Sequence, residues 1–307
     1  KHLPVHIHPL GAITQKTDGK ELAEMYDMRN SGAIAFSDGL LPVQSAGLFV
    51  KALQYVKAFD GVLIQLPIDR SIGSSGLMNE GVISTQLGLP GLPSIAEISI
   101  LKRDLDLLKY SGSKIHFTGI TTKESLELIA AAKAAGLKVT CSVTPYHLYF
   151  CDEDLQDYNT YLKVNPPLRS RADMLALREG VINGTVDCIA SHHFPQDWDH
   201  KICEFEYASF GMNALESSFS VVNHLLGQLS NERLVELFSL NARNIFGLPS
   251  THIVENEVAE LTIYHRNQVA QLKKESIKSK SFNNAFTNIE LNGKVYATIN
   301  NGQLTIN

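Results

Sequence analysis

The stretch Thr121-Thr122-Lys123-Glu124-Ser125-Leu126-Glu127-Leu128-Ile129-Ala130-Ala131-Ala132-Lys133-Ala134-Ala135-Gly136-Leu137-Lys138-Val139-Thr140-Cys141-Ser142-Val143 reads as one helix, one turn and one strand. Thr121 and Glu124 stand at capping-box spacing, where each side chain satisfies a backbone N–H of the first turn. Leu126, Ile129, Ala130 and Ala134 then recur on one face at the helical period. Gly136 supplies the left-handed backbone that ends a helix at least strain. Leu137–Val143 is nearly continuous in apolar and β-branched residues, as a strand covered on both faces requires.

The same rhythm extends both ways. Val5–Ile13, Ala33–Ser37, Val62–Leu66, Lys114–Thr118 and Val186–Ala190 are further candidate strands. Gly19–Met28, Gln44–Phe59, Ile95–Tyr110 and Arg171–Ile182 are helical patterns between them, and Met212–Leu226 and Glu232–Leu240 follow. Repeated strand–helix units imply a parallel sheet with helices outside. Six strands fall short of the eight of a (β/α)₈ barrel. Either the sheet is open or two strands lie before Lys1, which is not a Met and runs straight into an apolar segment. From about His252 the pattern changes. Leu261–His265, Lys294–Ile299 and Gln303–Ile306 read as short antiparallel strands, with Asn300-Asn301-Gly302 as a turn. The run Lys273, Lys274, Lys278, Lys280 reads first as a solvated face, and second as an anion patch.

Composition narrows the function. Lys+Arg 27 against Asp+Glu 32 leaves −5, with pI ≈ 6.1, unlike a nucleic-acid binder or a polybasic membrane-surface protein. No apolar run reaches the ~18 residues of a membrane span. Four cysteines form no C-x-x-C pair, so a reducing, cytoplasmic compartment is expected.

In a parallel barrel, chemistry sits at the C-terminal ends of the strands. Those ends carry Ser37-Asp38-Gly39, Gln65-Leu66-Pro67, Thr118-Gly119, Thr144-Pro145-Tyr146-His147, Asn165-Pro166-Pro167-Leu168-Arg169 and Ser191-His192-His193. With Gly88-Leu89-Pro90-Gly91-Leu92-Pro93, Thr122-Lys123-Glu124-Ser125 and Gly184-Thr185-Val186-Asp187-Cys188-Ile189-Ala190, these segments resemble the dihydroorotases of the amidohydrolase superfamily along nearly the whole chain. The resemblance implies an α/β fold, a metal-dependent (β/α)₈ TIM barrel with a small β-sandwich built from both chain ends. Residues 1–251 are then the barrel without its first strands, and 252–307 the C-terminal part of the sandwich. The implied reaction is reversible hydrolysis of dihydroorotate to carbamoyl aspartate in de novo pyrimidine synthesis.

The resemblance also assigns positions. The family's H-x-H metal pair, followed by a substrate-binding Arg, is expected ahead of Lys1. His6-Ile7-His8 has the spacing to share one strand face, but Gly11-Ala12-Ile13-Thr14 after it matches a later strand, so packed strand histidines are the first reading. The bridging carboxylate of the family falls on Gly39, its next two histidines on Leu66 and Gly119, and its Asp, both ligand and general base, on His192. The terminal His of that last run, which helps hold substrate, becomes Gln196. Asn165 matches a residue that hydrogen-bonds the substrate ring, with a turn before Pro166-Pro167 as the equal alternative, and Gly211 matches a backbone contact to substrate. Tyr146 and His147 read as closing the barrel mouth, Glu216 as a structural acceptor, and Trp198 as an exposed contact point on a substrate loop.

Zinc needs N, S or O donors at ~2.0–2.3 Å and activates water by lowering its pKa toward ~7. Gly39, Leu66 and Gly119 offer no side-chain donor, so no metal residue and no cofactor are expected. The leading expectation is a non-catalytic homologue kept as a binding or assembly partner, by analogy with metal-poor homologues that associate with aspartate carbamoyltransferase, forming a homo-oligomer and retaining a small-molecule pocket. The alternative is an active dihydroorotase or related cyclic amidohydrolase with an altered site. It requires zinc, and His192 as the base.

Overall fold

A computed structural model describes residues 3–306; Lys1, His2 and Asn307, at the ends of the ranges 1–251 and 252–307, lie outside the described residues. The strands in chain order are β1 (Leu10–Gly11), β2 (Ala35–Phe36), β3 (Leu63–Gln65), β4 (Met78–Asn79), β5 (Gly91–Leu92), β6 (Ile115–Phe117), β7 (Val139–Val143), β8 (Cys188–Ile189), β9 (Leu261–Gln271), β10 (Glu290–Asn300) and β11 (Gln303–Ile306). β1, β2, β3, β6, β7 and β8 form one parallel sheet in that order. They are the six runs expected from the sequence. Among the described residues β1 and β8 are edges, and no strand joins them.

Alternation along each strand divides the sheet into two faces. Leu63, Ile115, Phe117, Val139, Cys141 and Val143 point outward into the main core. There they meet Phe49 and Leu53 of helix Ala46–Lys57, Leu101 and Leu105 of Ile95–Ser111, Ile129 of Lys123–Ala134 and Leu177 of Arg171–Asn183. The concave face carries the alternate residues. Ala35 and Ile64 pack there against Ile245 and Phe246 of helix Asn241–Phe246.

Several expected boundaries move, for physical reasons. Val5–Ile13 contracts to β1, because Pro4 and Pro9 lack the N–H that a ladder needs and residues 3–9 lie exposed. Gly19–Met28 contracts to Met25–Asn30, and Met212–Leu226 to Ser218–Leu225. In the second case Met212 pairs with His193 and the Asn213 N–H donates to the Asn283 carbonyl, which holds the segment extended. The cap of helix Lys123–Ala134 shifts by one residue. Thr122 accepts from the Ser125 N–H, while Thr121 and Thr122 together donate to buried Glu97.

Toward the C-terminus, β11, β10 and β9 form a three-stranded antiparallel sheet. It is one layer of the kind that the C-terminal part of a small sandwich would supply. The Asn301-Gly302 turn joins Asn300 and Gln303, with both turn residues at positive φ as a tight hairpin demands. Helix Ser218–Leu225 fastens this sheet to the barrel side. Asn223 Nδ2 donates to the Arg266 and Asn292 carbonyls, and Arg266 Nε donates to Asn223 Oδ1.

Candidate functional site

The parallel strands end around a cavity of about 600 Å³. Gly39, Leu66, Asn165, His192 and Gly211 all border it, so five of the positions singled out in the sequence converge. Gly119 joins them from behind. Its φ is +69°, and a Cβ built there would lie 2.5 Å from His192 Cε1 and 3.1 Å from Leu66 Cδ1. The His192 ring and the Leu66 side chain therefore fill the space that a side chain at 119 would need. His192 itself has φ 41°, strained for a residue with a Cβ.

Polar groups at the strand ends are mostly committed. Asp38 Oδ1 accepts from the Ile13 and Thr14 N–H groups at 2.8 and 3.0 Å, and Thr14 Oγ1 donates to Oδ2 at 2.5 Å. That carboxylate pins the end of β1 to the end of β2. His147 Nε2 donates to the Pro166 carbonyl at 3.0 Å, so Nδ1 accepts from Thr144 Oγ1 at 2.8 Å. With both nitrogens used, and its basicity pushed down to about 3 by burial, His147 closes the mouth as a neutral ring. Gly211 spends its N–H on the Lys163 carbonyl and its carbonyl on Asn283 Nδ2.

His192 differs. Nε2 lies 2.7 Å from Thr118 Oγ1, and burial pushes the ring down to about 4. Thr118 Oγ1 lies 3.0 Å from Ser142 Oγ, which lies 3.1 Å from His116 Nε2; His116 Nδ1 lies 2.9 Å from Thr140 Oγ1. His116, fully enclosed and pushed down to about 3, was missed in the sequence. The available signal was period two: in Lys114–Thr118 it alternates with Ile115 and Phe117 and must face the barrel interior.

The other candidates sit elsewhere. Gln196 leaves the central cavity, since its Nε2 donates to the Phe210 carbonyl at 2.8 Å. It borders instead a second cavity of about 320 Å³ with Trp198, Lys274 and Lys280. Trp198 is 60% exposed. Glu216 accepts from the Lys278 and Ser279 N–H groups, the structural role expected. His6 and His8 correct the reading as packed strand histidines. Both are exposed outside any strand, and His6 Nε2 pairs with Glu260 at 3.0 Å.

A zinc ion does not fit these residues. Around the central cavity no carboxylate stands among the described lining side chains, His116 and His192 Nε2 are tied to hydroxyls, and the remaining His193 ring, His192 Nδ1 and Cys188 thiol do not gather as a group of three ligand atoms. The group of three potential ligands found close together among the described residues is Cys151, Asp152 and Glu153, outside that lining, where Asp152 is held by Asn79 and Glu153 by Arg171.

The Dihydro-orotase-like family profile matches residues 2–125. A dihydroorotase of Caldanaerobacter subterraneus subsp. tengcongensis is 38% identical over 303 residues, covering 98% of this chain and 70% of that protein. A dihydroorotase of Pelotomaculum thermopropionicum is 39% identical over 305 residues, covering 98% and 71%. Among solved structures, the L-hydantoinase (dihydropyrimidinase) of Arthrobacter aurescens superposes with a TM-score of 0.82 at 22% identity, over 97% of this chain and 69% of its own. The D-hydantoinase (dihydropyrimidinase) of a Thermus species gives 0.79 at 18% identity, over 97% and 68%. The fold is that of the TIM-barrel amidohydrolases. No helix among the described residues is long and apolar enough to cross a membrane.

Proposed function

Because this chain belongs to the dihydroorotase family, we propose that it is a member that binds rather than hydrolyses, serving as an assembly partner of aspartate carbamoyltransferase. One observation carries the proposal. At the strand ends that correspond to the family's metal ligands stand Gly39, Leu66, Gly119 and His192, and the space in front of Gly119 is filled by the His192 ring and Leu66. Hydrolysis of a cyclic amide at neutral pH needs an activated water, which a bound zinc supplies in this chemistry. Three positions without a donor remove the means to hold one. His192 carries no negative charge, and a ring pushed down to about 4 is a weak base at neutral pH.

The second reading, an active dihydroorotase, is favoured by identity of 36–39% to curated dihydroorotases over 98% of the chain. Zinc content and turnover separate the two. The purified chain, incubated with zinc and desalted, is expected to retain far less than one equivalent by plasma mass spectrometry. It is also expected to turn over neither dihydroorotate nor carbamoyl aspartate. Stoichiometric zinc with turnover establishes the enzyme instead. His192→Asp alone is expected to stay inactive, since Gly39, Leu66 and Gly119 remain; recovered hydrolysis in that variant would falsify the ligand assignment. Co-elution with aspartate carbamoyltransferase on size exclusion tests the assembly role, and separate elution of the two counts against it.

A further inference from the structure

The described lining of the central cavity holds no carboxylate, ammonium or guanidinium. Among the described residues none of its lining side chains is Asp, Glu, Lys or Arg, and Ile64, Leu66, Phe194, Phe210 and Phe246 supply much of the wall. A carboxylate or phosphate entering would lose its hydration with no ammonium or guanidinium in the lining to replace it, which strongly disfavours anions.

Three polar groups in this wall keep an unbonded atom among the described residues, one of them His193, which accepts the Leu215 N–H at Nδ1 and leaves Nε2 open. His192 gives Nε2 to Thr118, and its Nδ1 has no partner among the described residues. The Asn165 side-chain amide likewise bonds to no group among the described residues. Behind His192 the chain Thr118–Ser142–His116–Thr140 alternates hydroxyls and imidazole, each able to donate on one side and accept on the other. The whole chain is therefore satisfied in either sense. When Thr118 donates to Nε2, the neutral ring presents Nδ1–H to the cavity; when Nε2–H donates to Thr118, it presents a lone pair. Asn165 offers both an N–H and a C=O. The site can match a group that both donates and accepts, inside walls that favour apolar bulk.

We propose that this cavity binds a neutral, largely aromatic molecule bearing one carboxamide or lactam, anchored by His192 Nδ1 and the Asn165 amide. The inference rests on the metal-free reading of the site and goes beyond it by naming the ligand class.

The test uses 1-naphthamide and 1-naphthoate, nearly equal in size and different in charge. Titration calorimetry on the whole chain at neutral pH is expected to give at least tenfold tighter binding of the amide. Methyl NMR is expected to shift the Ile64 and Leu66 signals on addition of the amide. His192→Phe is expected to weaken the amide at least fivefold. Equal or tighter binding of naphthoate, no binding of either probe, or undiminished amide affinity in His192→Phe overturns the proposal. Where His192→Phe does not fold, the unmodified protein decides, since amide binding that leaves Ile64 and Leu66 unmoved places the ligand elsewhere and overturns it too. Zinc content and turnover on the same sample keep the two readings apart. A metal-free, inactive protein that prefers naphthoate sinks this inference alone; a zinc-loaded, active one sinks the reading beneath it.

Discussion

Gly119 combines two constraints that a single methyl would violate. Its φ of +69° lies in the left-handed region, and the nearest atom to an added Cβ is a ring carbon of His192 at 2.5 Å. Left-handed strain for an ordinary residue is of order 1–3 kcal/mol, and overpacking adds a similar amount. Gly119→Ala is therefore expected to destabilise the fold by at least about 2 kcal/mol in urea unfolding. Part of that loss should return in the double variant Gly119→Ala/His192→Ala, because the ring is half of the clash. Strict additivity of the two substitutions would mean that the ring and the glycine are not in contact. The same pair explains why substitution of one ligand position at a time is a poor route back to a metal site: 119 and 192 compete for one volume.

At the level of elements, polar ties fasten the C-terminal sheet to helix Ser218–Leu225 and the turn after it. Asn223 on helix Ser218–Leu225 is buried and bonds two carbonyls and the Arg266 guanidinium on β9 and β10. Across the same seam, Gly293 at φ 113° brings the β10 backbone against the Asn223 side chain, where a Cβ would stand 2.9 Å from Nδ2. Asn223→Ala takes this donor from the Arg266 and Asn292 carbonyls while the Arg266 guanidinium keeps the Leu229 and Gly227 carbonyls, a loss of about 1–3 kcal/mol by the desolvation of such groups. The expected readout is faster proteolytic cleavage within residues 250–306 than in the unmodified protein; an unchanged cleavage pattern would show that the remaining ties, among them Ser220 to Gly293 and Arg266 to Leu229, hold the sheet without Asn223. The helix caps tell a related story. Thr121 has capping-box spacing in the sequence, but the Ser125 N–H donates to Thr122, while buried Glu97 from the preceding helix takes hydrogen bonds from both threonines.

For the molecule as a whole, enclosed histidines govern acid stability. His116, His147 and His192 are held at about 3, 3 and 4 by burial, against an ordinary 6.5. Below about pH 6.5 the unfolded chain binds protons that the folded one refuses, so stability falls as pH drops toward 4. Asp104, pushed up to about 7 by burial, works the other way, because its folded form takes up a proton first. Three against one leaves about two protons, or about 3 kcal/mol per pH unit at most. Urea midpoints are expected to decline steadily from pH 6.5 to 5, above the range where exposed carboxylates titrate; a flat profile there contradicts the neutral, enclosed histidines. What sequence alone determined was local and periodic: six strand runs, the helices between them, the Asn301-Gly302 hairpin, and the positions at which donors are lacking. Those follow from chain geometry, since side-chain period, caps and turn residues act over a few residues. What only the tertiary structure decided was which side chains share a volume. His192 and Leu66 occupying the place in front of Gly119, the hydroxyl–imidazole chain reaching back to His116, and Gln196 turning to a different cavity join residues far apart in the chain, and close packing between distant segments has no local signature to read.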